Sequence, residues 1–265
     1  MDAANDTHKQ RFIAIQFTPD LMQKTGPRRI LDVEMAKTLA AARIGDASNV
    51  FTVPKIVRHD ADIGIIEFER IPRLLTLYQL ARRGDARLPD LLARAGEALA
   101  LIHTHLRLPS ALKISLPSAW MLPEAENAFL HGDFTPSNVG LDESTGQLVI
   151  FDWSAVPFIA PLATFGPRYF DLVWFAVNLF NTRPWPSLTR WTVRKMADVF
   201  IRAYLAAQNE RLERDVFREY RRRMLQSYNM GFKIGIKKCP WHKRLGHQLI
   251  RAAATWMWNR YEPSA

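Results

Sequence analysis

One cysteine in 265 residues, Cys239, leaves no partner for an internal disulfide and too few thiolates for a cysteine-based zinc site. Long apolar runs are missing too. The longest, Leu172 to Phe180, contains Asn178 and falls far short of the roughly 20 residues that a bilayer-spanning helix needs. The stretch from Met1 to Gln10 is polar, carries Asp2, Asp6 and Lys9, and lacks the charged-then-apolar order of a secretory signal. Internal repeats and low-complexity linkers are absent. These absences predict a soluble, cytoplasmic protein. What is present is an ordinary globular balance, 48% hydrophobic and 23% charged, in a chain long enough for one large or two small lobes.

The net charge of +10 is unevenly spread. Residues 183–265 hold 18 Lys and Arg against 6 Asp and Glu, whereas the preceding residues hold 18 against 20. A basic C-terminal third is attracted to anionic material, whether a phosphorylated sugar, a lipid headgroup or a nucleic acid, and is equally the solvated face of surface helices. No nucleic-acid motif accompanies it, so no nucleic-acid partner is expected.

Periodicity gives a coarse map. Arg11 to Thr18 reads as a strand ahead of Pro19, and Leu31 to Ile44 as a helix. Short strands are expected at Lys55 to Val57 and Gly64 to Phe68. From there the chain turns helical, over Leu74 to Arg83 and the amphipathic Leu88 to His105, followed by a loop-rich Leu108 to Pro123. Val139 to Leu141 and Gln147 to Phe151 read as a hairpin turned at Glu143-Ser144-Thr145-Gly146. Helices are then expected over Tyr169 to Phe180, Leu188 to Ala207, Leu212 to Tyr228 and Trp241 to Tyr261.

The chemistry sits in His131-Gly132-Asp133-Phe134-Thr135-Pro136-Ser137-Asn138 and, after the hairpin, Ile150-Phe151-Asp152-Trp153. An Asp, an Asn five residues later and a second Asp closing an apolar strand form the set that phosphoryl transfer from a metal-bound nucleotide requires. One carboxylate accepts the hydroxyl proton, and the amide oxygen and the other carboxylate hold the metal. Taken singly, each has a bland role: Asp133 can cap a turn, Asn138 can satisfy loop backbone, Asp152 can end a strand.

In combination the sequence resembles the aminoglycoside phosphotransferase and choline kinase group, relatives of the protein kinases. The resemblance implies an α+β, two-lobed protein-kinase-like fold, with a small α+β nucleotide-binding lobe over residues 1–71 and a larger, mainly helical lobe over 72–265. It implies ATP and Mg²⁺ as cofactors, Asp133 as catalytic base, and Asn138 and Asp152 as metal ligands. His131 then packs beneath the loop, His103 is a packed residue, and Asp171 in Phe170-Asp171-Leu172 accepts hydrogen bonds from the loop or caps its helix. Glu69 and Ile71 fall at the hinge that binds adenine, and Glu34 is the partner of a phosphate-gripping lysine.

That lysine's expected place, in a strand Ile13-Ala14-Ile15-Gln16, is filled by Gln16, and none of the fifteen residues before it is glycine. A neutral amide cannot neutralise a phosphate. Lys9, Lys24, Arg28 and Arg29 are the nearby cations that could substitute, each otherwise an ordinary exposed base. An enzyme with a minimal upper lobe, an incomplete start, and a catalytically impaired pseudokinase all fit this departure. For the acceptor, the basic C-terminal third favours a neutral or anionic hydroxyl compound (sugar, antibiotic or lipid headgroup). Inward carboxylates such as Asp198 or Glu219 could still line a pocket for a cation, and Trp185, Trp191, Trp241, Trp256 and Trp258 could stack on a sugar or simply fill core. Peripheral contact with anionic surfaces is compatible with the charge, and the oligomeric state is left open.

Overall fold

A computed structural model describes residues 13–155, 159–181, 190–236, 248, 251–252 and 254–264. Lys9, Trp185, Lys237, Lys238, Cys239 and Trp241 lie outside them, as does much of the helix expected over 241–261, of which 248, 251–252 and 254–259 are helical.

The first part of the chain is a four-stranded antiparallel sheet with one helix against it. Strands β1 (Ala14–Phe17), β2 (Leu21–Thr25), β3 (Ile56–Asp60) and β4 (Ile65–Glu69) lie in the order β1-β2-β4-β3. Helix α1 (Arg28–Ser48) starts after Pro27, which supplies a fixed φ and no wasted N–H. It buries Leu31 against Ile66 and Phe68 of β4 to make a small core. Strand β2 was not expected; the segment Leu21-Met22-Gln23-Lys24 carries straight-chain helix formers and no β-branched residue.

The second part is mainly helical. Strand β5 (Leu74–Thr76) precedes α2 (Leu77–Arg83), so the helix expected from Leu74 begins three residues later. The reason is a capping box: the Thr76 hydroxyl accepts from the Gln79 N–H while the Gln79 side chain accepts from the Thr76 N–H. Helix α3 (Leu88–His105) packs along α5 (Arg190–Gln208), and α4 (Tyr169–Asn181) lies between α5 and α6 (Arg214–Ile236). The run Leu172 to Phe180 is buried apart from Asn178, which explains its all-round hydrophobicity without a membrane. Among the described residues no helix is long and apolar enough to cross a membrane. Helix α6 continues past the expected end at Tyr228 to Ile236.

Two small sheets hold the loops. The hairpin β7 (Val139–Asp142) and β8 (Leu148–Ile150) is extended by β5, and β6 (Asn127–Phe129) pairs with β9 (Phe165–Pro167). The chain leaving α1 ties the two parts together: Thr52 donates to the Leu148 carbonyl at 2.8 Å, and Ile150 donates back to Thr52 at 2.9 Å.

Candidate active site

The loop from His131 to Asn138 is pinned from below. Asp171, at the start of α4, is fully buried and accepts the backbone N–H groups of His131 (2.7 Å) and Gly132 (2.9 Å). His103 of α3 meets the oxygen that takes the His131 N–H, Nε2 to Oδ2 at 3.2 Å, and is itself held by the Tyr204 hydroxyl at 2.9 Å. Burial opposes the Asp171 charge, but these bonds outweigh it and keep its pKa below the ordinary carboxylate value. Gly132 sits at φ +90°, and a Cβ there would come within 3.0 Å of the Ala155 backbone, so the bend needs glycine. His131 is sealed in, its ring 4.4 Å from Trp153 and 5.4 Å from Phe134. Burial presses its pKa down to about 3, so it stays neutral, and its Nδ1 accepts the Asp133 N–H at 3.3 Å. It packs beneath the loop, as expected.

Asp133 and Asn138 meet across the turn. The Asn138 amide donates to the Asp133 backbone carbonyl (2.9 Å) and to its Oδ2 (3.1 Å). Asp133 Oδ1 accepts the indole N–H of Trp174 on α4 at 2.7 Å. Burial raises the Asp133 pKa to about 6, and the two donors only partly offset it.

Asp152 follows β8 in a left-handed conformation, φ +59°, with Ser154 donating to its Oδ1 at 2.8 Å. The same oxygen receives Lys24 Nζ at 2.7 Å, and that ammonium also reaches Glu34 Oε1 at 2.5 Å. Lys24 is 1% exposed. Burial works against its charge, but Glu34 and Asp152 more than compensate and raise its pKa. Lys24 also holds the Asp152 carboxyl below its ordinary value against the effect of burial.

The cation that meets Glu34 is Lys24, and Gln16 is not beside it. In the antiparallel register Gln16 lies opposite Gln23, and Gln23 opposite Glu67, so Gln16 is exposed on the outer face of the sheet. Lys24, opposite Ile15 and Ile66, shares the inner face with Met22 and meets Glu34.

Glu69 and Ile71 line a cleft of about 360 Å³ together with Phe17, Met22, Leu74 and Phe151. The Glu69 N–H is already taken by the Lys55 carbonyl at 2.8 Å. Phe151, which lines this cleft, is the residue before Asp152.

Residues 105–222 match the model of the phosphotransferase enzyme family (APH). The matched stretch contains Asp133, Asn138, Asp152 and Asp171. Structural likeness extends over nearly the whole chain. The choline kinase LicA from Streptococcus pneumoniae is similar with a TM-score of 0.54, over 92% of this chain and 89% of its own, at 10% identity. A glucosamine kinase in complex with glucosamine, ADP and inorganic phosphate gives 0.57, over 93% and 78%, at 11% identity. A choline/ethanolamine kinase family protein from Mesorhizobium loti gives 0.51, over 93% and 89%, at 13% identity. No curated protein matches in sequence. The fold is the two-lobed kinase-like one.

Two groups at this kinase-like centre escaped the sequence reading. Trp174 was one apolar residue among many in α4, and nothing in its spacing marks an indole aimed at a carboxylate. Lys37 is fully buried in α1 and donates to the His131 carbonyl at 2.5 Å. A signal was present for it: a lysine three residues after Glu34 on the apolar stripe of α1.

Proposed function

We propose that this chain transfers the γ-phosphoryl group of ATP to a hydroxyl of a small molecule. Asp133 is the base, Asn138 and Asp152 hold Mg²⁺, and the Lys24–Glu34 pair grips the phosphates. The observation that carries the reading is the double pairing of Lys24 with Glu34 and Asp152. It puts a cation beside the carboxylate that would face the metal, where triphosphate charge must be balanced.

The donor set suits magnesium. An amide oxygen and a carboxylate are hard ligands, and this ion usually takes only one or two protein groups, the rest being water and phosphate. That fits the absence, among the described residues, of any cluster of three or more His, Cys, Asp or Glu side chains. Held by Asn138 and Asp152, a bound ion would supply charge neutralisation to the phosphates. The adenine enters the slot at Glu69 and Ile71, where a nucleotide-binding lobe over residues 1–71 meets an acceptor-binding lobe over 72–265. The acceptor oxygen forms a bond to the γ-phosphorus as the bond to the β–γ bridging oxygen breaks. ADP departs with that electron pair, and Asp133 takes the hydroxyl proton. A base whose burial brings its pKa to about 6 is matched to this task near neutrality. The partner is a small-molecule alcohol in the cytoplasm, with no role for nucleic acid.

The alternative is an impaired, kinase-like binding protein. Its supports are Gln16 at the lysine's expected place and the missing glycine-rich loop; the Lys24–Glu34 pair speaks against the first. The test is Mg²⁺-dependent ATP hydrolysis and acceptor phosphorylation by the wild type and by Asp133→Asn. Removing a general base costs about 10²–10⁴-fold in kcat, so a loss of that size is expected. Equal rates in the two proteins would leave the binding-protein reading standing.

A further inference from the structure

A hollow of about 530 Å³ lies between α1 and the end of α3, and it shares no lining residue with the cleft at Glu69 and Ile71. Helical spacing accounts for its walls. Ala40, Ile44 and Ala47 stand three or four residues apart on one face of α1, and Leu101 and His105 stand four apart on one face of α3. Ile44 belongs to the main core, and Ala40 and Leu101 pack against it, so the floor is apolar.

The charge around that floor is of one sign. Arg43 on α1 lines the hollow, as do His105 and Arg107 at and just beyond the end of α3, and no carboxylate does. Asp46 and Glu97, the acids nearest in sequence on the two helices, are exposed elsewhere on them. Among the described residues neither Arg43 nor Arg107 is held in an ion pair; Arg107 donates to the carbonyl of its neighbour Leu106 at 2.7 Å. A second hollow of about 520 Å³ shares Arg107 and adds Lys113, but its lining is mostly polar and includes Glu126, 3.1 Å from Arg168. An anion there would meet a carboxylate. In the first hollow it would meet only cations and hydrocarbon.

We infer that the hollow between α1 and α3 binds a small amphipathic carboxylate, its apolar body on Ile44 and Leu101 and its charged end between Arg43 and Arg107. The planar guanidinium fork suits a carboxylate, and the volume is that of a small-molecule site, roughly 300–1,000 Å³. The site lies apart from the phosphotransferase centre and does not depend on that reading. Its occupant would touch both parts of the molecule at once. Helix α1 also carries Glu34 and Lys37, which meet Lys24 and the His131 carbonyl at 2.5 Å each.

The test titrates the full chain calorimetrically with three probes of one shape, octanoate, octanol and octylamine, with and without Mg²⁺-ADP. Octanoate should saturate one site with a Kd of about 0.1–1 mM, the range for a ligand of its size. Octanol should bind about tenfold more weakly, and octylamine should not saturate. Arg43→Met and Arg107→Met should each weaken octanoate about tenfold, the loss of one charge-assisted contact, and leave octanol within about twofold. Ala47→Trp, which fills the hollow from an exposed position, should weaken both probes alike. Thermal melts without ligand show that each variant is folded. Equal affinity for the three probes overturns the inference, as does octanoate binding that none of the variants alters. Octanoate binding abolished by Mg²⁺-ADP would belong to the nucleotide cleft and overturn it too. So would Arg43-dependent binding to phosphatidylglycerol–phosphatidylcholine vesicles by a chain that ignores free octanoate, since the cations would then serve a membrane surface. The Asp133→Asn comparison is untouched by any of these results.

Discussion

A lysine with 1% of its surface exposed has to be paired, since an isolated buried ammonium would shed its proton. Lys24 meets that demand with two carboxylates that come from different parts of the chain, Glu34 ten residues away and Asp152 128 residues away. Gln16 is subject to no such demand. The two residues therefore make opposite predictions. Lys24→Met removes charge-assisted contacts of ~2–3 kcal/mol, equivalent to about 10²-fold, from phosphate binding and orientation. Steady-state ATP titrations should show a loss of that order in kcat/KM for ATP. Gln16→Ala should stay within twofold. The reverse pattern would return the phosphate grip to β1. That Asp133 and Asn138 come together was legible in the sequence because the loop is local and its spacing is short. Lys24 was not, because only a non-local pairing, β2 against β4 across more than forty residues, turns it inward.

At the level of elements, the sequence showed most where a pattern repeats within one segment. The α3 stripe of Leu91, Leu92, Ala95, Ala98, Leu99 and Ile102 is buried as its period predicts. The β7–β8 hairpin turns where its polar, Gly-containing tetrapeptide lies. Strands β2, β5, β6 and β9 were missed or absorbed into neighbours because each is three to five residues long and gains its place by pairing alone. The crossing of α3 and α5 was likewise invisible, although one glycine decides it. A Cβ at Gly96 would come within 2.4 Å of the Phe200 carbonyl oxygen and 2.9 Å of the Tyr204 nitrogen, so the two backbones nearly touch. In an exposed helix, Gly→Ala would add up to ~1 kcal/mol of stability. Here the methyl group must push α5 away from α3, and α5 carries Tyr204, which supports His103 and through it Asp171. Gly96→Ala should therefore destabilise by ~1–3 kcal/mol, read as a lower urea midpoint. A midpoint raised above wild type would show that the helices have slack.

Across the whole molecule, the two parts meet over a seam of buried charge whose balance is set by Lys37. It stands on the helix of the upper part, is fully enclosed, and bonds a carbonyl of the lower part's loop. Burial lowers its pKa to about 8, despite the attraction of Asp171, Glu34, Asp152 and Asp133. In the unfolded chain a lysine titrates near 10.4. Between these values the unfolded chain holds a proton that the folded one has released. Stability must then rise with pH over that window, with a slope of at most ~1.4 kcal/mol per pH unit. Most proteins show no such gain in alkali, and above about pH 10 the tyrosines act in the opposite sense. Tyr169, Tyr204, Tyr220 and Tyr261 are all raised by burial, so they ionise first in the unfolded chain. The clean interval is about pH 8 to 9.5. Urea unfolding should give a free energy ~1–2 kcal/mol higher at the upper end. Lys37→Met, which keeps the volume and loses the proton, should flatten that rise. If both proteins show the same slope, the ammonium at the seam is ionised throughout, and its bond to the His131 carbonyl is a fully charged one that locks the upper helix to the catalytic loop at every working pH.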